Sequence, residues 1–308
     1  MARLIHTGSV IVDQVMHIRE VPEPGADIVA THAYATAGGA MNSLVAAAKD
    51  GMEVIYCGLV GTGMNASVIA QALDNAGIAL NYPRLTDADN GYCVALVDDT
   101  GERTFITSIG VEGRFAFEHM DAIPLRETDL VYVSGYSLAT PENAQGLAQW
   151  LPIIPASVKV FVDPSPLVTE LPAELYQPLL DRADVFSANR REAEAIAEDV
   201  KALALMLRPG AWAVVRNGAE PTLACQNIDG IAGEVIEVPT FPQTPIDTNG
   251  AGDVHAGVML AGLGRGLDVP EAVRRANAAS AIKVTRSGPT AAPTTAEIDE
   301  FLAARVTA

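Results

Sequence analysis

Short apolar segments that end at glycine, aspartate or asparagine alternate with alanine-rich segments along most of this 308-residue chain. This alternation predicts a mostly parallel sheet with helices on both faces, because parallel strands need long crossover connections, which helices usually supply. Hydrophobic residues make up 49% of the chain, enough for a large buried core. The predicted strands span residues 4–12 (broken by Gly8 and Ser9), 53–57, 130–134, 158–162, 185–187 and 213–216. Helices are predicted at residues 42–49, 67–76, 142–151 and 269–284, from residue 191 onward, and after a glycine loop within 250–263.

Antiparallel segments interrupt this pattern at two places. Residues 92–97 and 103–107 are strand-like and are joined by Asp-Asp-Thr-Gly at 98–101, a composition typical of hairpin turns. Residues 222–226 and 234–238 form a second predicted antiparallel pair. No linker or repeat divides the chain, so we predict one domain over residues 1–308, with residues 13–35 and 91–107 forming a small β-lid.

The charge of the chain limits its partners. A formal net charge of −18 repels phosphate backbones, so nucleic acid is not expected to bind. The cysteines at positions 57, 93 and 225 are far apart and lack metal-ligand spacing, which is typical of reduced thiols in a cytoplasmic protein. No apolar run reaches the roughly 18 residues of a membrane helix, and no signal peptide is evident, so no membrane association is predicted.

The sequence Asp-Thr-Asn-Gly-Ala-Gly-Asp at 247–253 carries the strongest chemical signal. The small residues Gly250, Ala251 and Gly252 precede Asp253 at the start of a predicted helix. Backbone amides at such a start can bind phosphate. A carboxylate beside them is explained if it must take a proton from a hydroxyl that attacks a phosphoryl group. The alternative is a glycine turn in which Asp253 is an ordinary N-cap.

This motif, followed by Val-His-Ala-Gly at 254–257, resembles the C-terminal motif of the PfkB carbohydrate kinase family, which includes ribokinase, adenosine kinase and fructokinases. The resemblance implies an α/β fold, a ribokinase-like three-layer α/β/α sandwich with a mostly parallel central sheet and a small β-lid. It also implies ATP and Mg²⁺ as cofactors. Asp253 corresponds to the catalytic base, and Gly250, Ala251 and Gly252 correspond to the anion hole. His255 replaces the usual phenylalanine.

Substrate-binding residues are implied near the N-terminus. Gly38 and Gly39, followed by Asn42, resemble the family's sugar-binding turn, although one residue fewer separates the glycines from the asparagine. Asp13, expected at the end of the first strand, corresponds to an acid that binds two substrate hydroxyls. Carboxylate and amide groups suit a vicinal diol, because one accepts hydrogen bonds and the other both donates and accepts them.

Nucleotide and metal contacts are implied farther along the chain. Asn189 and Glu192 fit the family's Asn-x-x-Glu element, in which the asparagine lies near ATP and the acid holds Mg²⁺ through water. Arg216 and Gly218 resemble the nucleotide-base loop, and Asn277 matches a position beside adenine.

The resemblance also implies a monovalent cation, with K⁺ as the candidate, bound beside the anion hole. Its ligands would be Asp247 and carbonyls of residues 283–288. Arg103, on the second lid strand, is interpreted either as a contact to a substrate phosphate or as a solvated hairpin charge. The resemblance also implies a homodimer through the lid.

The segment Gly-Leu-Val-Gly-Thr-Gly at 58–63 lies between a predicted strand and a predicted helix, so it could instead be a dinucleotide-binding fingerprint. It lies outside the first βαβ unit, and no acid ends a strand about 20 residues later. The sequence therefore predicts an ATP-dependent kinase that phosphorylates a primary hydroxyl of a free small sugar. A ribonucleoside kinase is the alternative within the fold, and a non-catalytic sugar sensor is the alternative of another class.

Overall fold

The computed structural model describes residues 2–288 and 290–306, which form two sheets with helices around the larger one. The strands are β1 Arg3–His6, β2 Val10–His17, β3 His32–Gly39, β4 Glu53–Tyr56, β5 Ala79–Leu80, β6 Tyr92–Val97, β7 Arg103–Ser108, β8 Leu130–Ser134, β9 Lys159–Asp163, β10 Val185–Asn189, β11 Trp212–Asn217, β12 Glu220–Ile228, β13 Ile231–Ala232 and β14 Ile236–Val238. The helices are α1 Met41–Lys49, α2 Met64–Asn75, α3 Phe117–Asp121, α4 Pro141–Trp150, α5 Ala173–Arg182, α6 Arg190–Ile196, α7 Val200–Met206, α8 Ala251–Gly264, α9 Val269–Lys283 and α10 Thr295–Val306.

The main sheet has the order β13-β12-β11-β10-β9-β8-β1-β4-β5, and β14 pairs with β12. The pairs from β5 to β11 are parallel, and β12 to β14 add antiparallel strands at one edge. Successive residues of β1 face opposite cores: Leu4 packs into the cluster with α1, α8 and α9, and Ile5 into the cluster with α4, α5 and α7. This alternation produces the predicted three layers. No helix of the described residues is both long and apolar enough to cross a bilayer.

The predicted strand at residues 4–12 is two strands, divided at the predicted break of Gly8 and Ser9, and they lie in two different sheets. The chain turns at Gly8, where an added Cβ would lie 3.0 Å from the His6 ring. β1 is buried on both faces, whereas β2 is buried only at Val10, Val12 and Val15. Asp13 therefore does not end the first strand but lies within β2.

The second sheet has the order β3-β2-β6-β7. β2 pairs in parallel with β6 and antiparallel with β3, and β6 and β7 form a hairpin. Side chains of β2, β6 and β7 share a cavity with residues at the carboxyl ends of β8, β9 and β10. Ligand sites of open α/β sheets are found at such strand ends.

Candidate active site

The start of α8 separates two neighbouring cavities. The first has a volume of about 530 Å³ and lies beneath the second sheet. The second has a volume of about 430 Å³ and lies against β12 and α9. Residues at the start of α8 and two residues at strand ends line both: Asn189, Arg216, Thr248, Ala251 and Gly252. Two molecules could therefore meet at the amino end of this helix.

Gly250 gives the helix its sharp start. Its φ of 74° lies in the left-handed region that favours glycine, and it is the N-cap of α8. Asp253 is the third residue of the helix, so the interpretation of Asp253 as an ordinary N-cap is wrong. The Ala251 amide donates to the Thr248 carbonyl at 3.2 Å. The amides of Gly250 and Gly252 therefore remain the better candidates for binding an anion at this helix end.

A close contact between α1 and α8 brings Asn42 to Asp253. An added Cβ at Gly257 would lie 2.4 Å from the Ser43 carbonyl oxygen, so glycine permits this approach. The Asn42 Nδ2 donates to the Asp253 Oδ2 at 2.9 Å. Burial raises the pKa of Asp253 to about 6, the Asn42 bond opposes this rise, and the charge of Asp163 adds to it. A carboxyl with such a pKa can accept a proton near neutral pH.

The predicted substrate residues lie beside Asp253. Burial is the larger cause and repulsion from Asp253 the smaller cause of a rise in the pKa of Asp13 to about 6. An added Cβ at Gly38 would lie 2.0 Å from the Asp13 Oδ2, so this glycine leaves room for the carboxylate. Gly39 has a φ of 59°, and its added Cβ would lie 2.7 Å from the Ser9 carbonyl oxygen. Asp13, Gly39 and Asn42 all line the first cavity.

Asn42 also keeps an open acceptor. Its side chain is buried, and its Oδ1 has no hydrogen-bond partner among the described residues. A buried polar atom without a partner is costly. A donor from a bound molecule in the first cavity would satisfy it.

Arg216 lies between the two cavities, with its guanidinium turned toward acids. It pairs with Asp163 at 3.0 Å and with Glu192 at 3.7 Å, and an added Cβ at Gly252 would lie 3.8 Å from its Nη2. Its side chain thus lies at the start of α8, and Gly218, two residues later, lines only the second cavity. Asp163 was not among the predicted site residues, although an acid at the carboxyl end of a predicted strand is a usable signal.

Ser165 was also missed. It lines the first cavity, it has φ 58° and ψ 164°, and its buried Oγ has no partner among the described residues. Such a backbone conformation is essentially restricted to glycine, and strain of this kind concentrates at functional sites. The sequence gives no sign of it.

Glu192 is buried with both of its carboxylate oxygens already hydrogen-bonded. Asn189 donates to it from Nδ2 at 2.6 Å and from its backbone amide at 2.8 Å, and the Asn189 Oδ1 caps α6. Burial raises the pKa of Glu192, and repulsion from Asp163 raises it further. Within residues 2–288 and 290–306, no group of three or more histidines, cysteines or acids could hold a metal. Asn189 and Glu192 are therefore compatible with a magnesium ion that keeps its waters and binds mainly to the phosphates of ATP.

Asn277 lines the second cavity, but its polar atoms are committed to the protein. Thr222 Oγ1 donates to its Oδ1 at 2.9 Å, and its Nδ2 donates to the Pro239 carbonyl at 3.1 Å. The His255 Nε2 lies 3.2 Å from the same Oδ1. Burial lowers the pKa of His255 to about 3, so its ring is neutral. Asn277 therefore shapes the cavity wall.

Asp247 lies beside the anion hole and is surrounded by donors from the protein itself. Its Oδ1 accepts from Arg103 at 2.7 Å and from the Asn249 amide at 2.9 Å, and its Oδ2 accepts from the Gly288 amide at 3.0 Å. Burial favours a higher pKa, but these amide bonds and two nearby cations outweigh it, so the pKa of Asp247 is lowered. Arg103 pairs with Asp247 across the fold, a partner that neither interpretation of this residue included. A monovalent cation does not fit this crowded set of donors.

The glycine loop at residues 58–63 lines neither cavity. The Gly61 amide donates to Asn90 Oδ1 at 2.8 Å, and an added Cβ at Gly63 would lie 2.2 Å from Asp89. The glycines thus allow close packing on the segment before β6.

Comparison with known proteins supports the resemblance. The model of the pfkB family of carbohydrate kinases matches residues 1–296. The uncharacterised sugar kinase YegV of Escherichia coli is 31% identical over 297 residues, which cover 94% of this chain and 91% of the relative. The ATP-dependent ribose-1-phosphate kinase of Halopiger xanaduensis is 29% identical over 308 residues, 99% of each protein.

A solved Escherichia coli protein assigned as a ribokinase II, in complex with ATP and Mg²⁺, has a TM-score of 0.81 at 19% identity. The match covers 99% of this chain and 100% of that protein. The predicted ribokinase-like fold is thus confirmed. The chain belongs to the PfkB family of carbohydrate kinases and is a phosphotransferase of the sugar and nucleoside kinase class.

Proposed function

We propose that this kinase transfers the γ-phosphoryl group of ATP to a primary hydroxyl of a neutral small sugar, with Asp253 as the general base. The observation that carries the proposal is the position of Asp253. Its carboxyl group lies at the amino end of α8, where two cavities meet, and burial raises its pKa to about 6.

The sugar would occupy the first cavity and ATP the second. Asp13 and the open Oδ1 of Asn42 would accept hydrogen bonds from sugar hydroxyls, which orients one hydroxyl toward Asp253. Asp253 takes the proton of that hydroxyl as the oxygen attacks phosphorus. The amides of Gly250 and Gly252 stabilise negative charge on the transferred group.

Magnesium bound to the phosphates would supply charge neutralisation, and Glu192 would contact it through water. The second sheet would act as a lid that keeps bulk water away from the phosphoryl group. Arg103 of β7 links this sheet to Asp247, three residues before the N-cap of α8. Closure of the sheet and assembly of the anion hole would therefore be coupled.

The charge of the first cavity favours a neutral substrate. Its lining includes five acids, Asp13, Glu112, Asp163, Glu192 and Asp253. Among the described lining residues, Arg216 is the only lysine or arginine, and it is already paired with two of these acids. A second phosphate on the sugar would meet this negative field without a free cation to bind it.

A ribonucleoside is the second candidate, because part of the first cavity is apolar. Phe105, Ile109 and Tyr136 line it and are exposed by 54%, 48% and 55%. Aromatic side chains at such a position could stack on a nucleobase. A free sugar would leave these side chains in contact with water.

An ADP-release assay against pentoses, hexoses, ribonucleosides and ribose 1-phosphate would test the proposal, with Mg²⁺ and K⁺ present. We expect turnover with a neutral sugar, and none above the ATPase background with the sugar phosphate. Preferred turnover of ribose 1-phosphate would contradict the neutral-substrate argument. Sugar binding by calorimetry without turnover of any compound would favour the sensor. The proposed homodimer through the lid and the proposed cytoplasmic location are independent of this assay.

A further inference from the structure

We propose that the ammonium group of Lys283 takes the place of a bound monovalent cation beside the anion hole, so that this kinase works without potassium. Lys283 is the last residue of α9, and its relative exposure is 0%. Its Nζ donates to the Asp247 carbonyl at 3.0 Å and lies 3.5 Å from the Arg286 carbonyl. These are the oxygens from which a cation site at this position would be built.

The oxygens of Asp247 already accept four hydrogen bonds from the protein. The side chain accepts from Arg103, Asn249 and Gly288, and the carbonyl accepts from Lys283. A potassium ion needs several oxygens directed at one point. Here it would also lie beside an ammonium and a guanidinium, whose charges repel it.

The position of Lys283 explains what its charge could do for catalysis. Asp247 lies three residues before Gly250, the N-cap of α8. The Ile246 and Asp247 amides both donate to the Val284 carbonyl, at 2.7 Å and 3.1 Å. The Lys283 bond completes this link between the end of α9 and the segment that leads into the anion hole. Lys283 is thus a positioning residue that acts through the backbone of residues 247–250.

Replacement of Lys283 by methionine tests the idea, because methionine keeps an unbranched side chain and removes the charge. The activity arm rests on the proposed function, so thermal unfolding is measured as a second, independent arm. Both arms use the full chain in tetramethylammonium buffer with NaCl, KCl or NH₄Cl added at equal ionic strength. The matched control is Lys49→Met, since Lys49 also ends a helix and donates to a carbonyl, that of Ala292, at 3.1 Å.

We expect the turnover and melting temperature of the wild type to be the same in all three salts, within about twofold in rate. Lys283→Met should lose roughly tenfold or more in turnover. K⁺ or NH₄⁺, but not Na⁺, should restore much of that loss and raise its melting temperature, whereas Lys49→Met should show no ion-specific response.

A wild type activated tenfold by K⁺ over Na⁺, or stabilised selectively by K⁺, would overturn the proposal. So would a folded Lys283→Met variant that responds to no cation. If that variant does not fold, Lys283→Arg keeps the charge and should stay insensitive to K⁺; potassium dependence in it would count against the proposal. If no substrate is turned over, the proposed function fails, but the melting temperatures still decide the role of Lys283.

Discussion

Replacing Asn42 by alanine should shift the acid limb of the pH–rate profile upward, because the Asn42 amide stabilises the ionised form of Asp253. The Nδ2 to Oδ2 distance is 2.9 Å, and this bond lowers a pKa that burial has raised to about 6. A hydrogen bond to a charged group contributes about 1.5–3 kcal/mol. Since one pKa unit corresponds to about 1.4 kcal/mol, the pKa of Asp253 should rise by about 1–2 units in the variant.

The sign of the effect on rate follows from the role of Asp253. A general base works only when ionised, so activity falls as the pH drops through its pKa. A limb shifted from about 6 to about 7–8 should reduce turnover at pH 7 relative to pH 9 by roughly twofold to tenfold. Poorer orientation of the sugar hydroxyl would lower turnover equally at both pH values.

The assay is ADP release from pH 5 to 9.5 at saturating sugar, so that weaker sugar binding by the variant does not enter kcat. Asn227→Ala is the matched control, because Asn227 is also a buried asparagine that donates to a carbonyl, that of Leu207, but it lines neither cavity. The control should lose stability and keep the wild-type limb. An Asn42→Ala loss of equal size at every pH would refute the reasoning and leave Asn42 as a substrate contact alone.

Three further substitutions test other parts of the site. Arg216→Met leaves the carboxylate of Asp163 without its partner and should lower the free energy of unfolding by about 3–5 kcal/mol, measured in urea; a loss under about 1 kcal/mol would argue against this ion pair. Gly38→Ala places a Cβ 2.0 Å from the Asp13 Oδ2 and should lower kcat/KM for the sugar by roughly tenfold to a hundredfold with the fold retained; unchanged kcat/KM would remove Asp13 from substrate binding. Ser165→Gly removes the strain of a backbone conformation that only glycine adopts readily. Once the entropy cost of a glycine is subtracted, the free energy of unfolding should rise by about 0.5–2 kcal/mol. A decrease would contradict the strain assigned to Ser165.

Most of the main sheet could be predicted from sequence because its strands are buried on both faces. β8 lies at the predicted residues 130–134, and β4 and β11 differ from prediction by one residue at one or both ends. The break at Gly8 and Ser9 could be predicted, but the assignment of the two strands on either side of it to different sheets could not. Both flanks of Gly8 are apolar, and the assignment of β2 to another sheet depends on pairing with β3 and β6, which are distant in sequence.

The position of the candidate site could be predicted from the small residues before Asp253 and from the family resemblance. The pairing of charged side chains in the site could not be predicted from sequence. The pairing of Arg103 with Asp247 spans 144 residues, and the pairing of Arg216 with Asp163 spans 53. Local patterns do not contain contacts of this length, so Arg103 was interpreted as a phosphate contact or a solvated charge. Lys283 was predicted as part of a helix end and of the segment whose carbonyls would bind a cation. The position of its ammonium group could not be predicted, because it depends on the segment before α8.

The measurement that tests the account most directly is the turnover number of Asp253→Asn on the best neutral sugar, with the affinities for ATP and sugar measured in the same preparation. Loss of a general base predicts a fall in kcat of roughly 10²–10⁴-fold, with both ligands still bound. Turnover within a few-fold of the wild type would contradict the account, because the proton would then leave the sugar hydroxyl without Asp253.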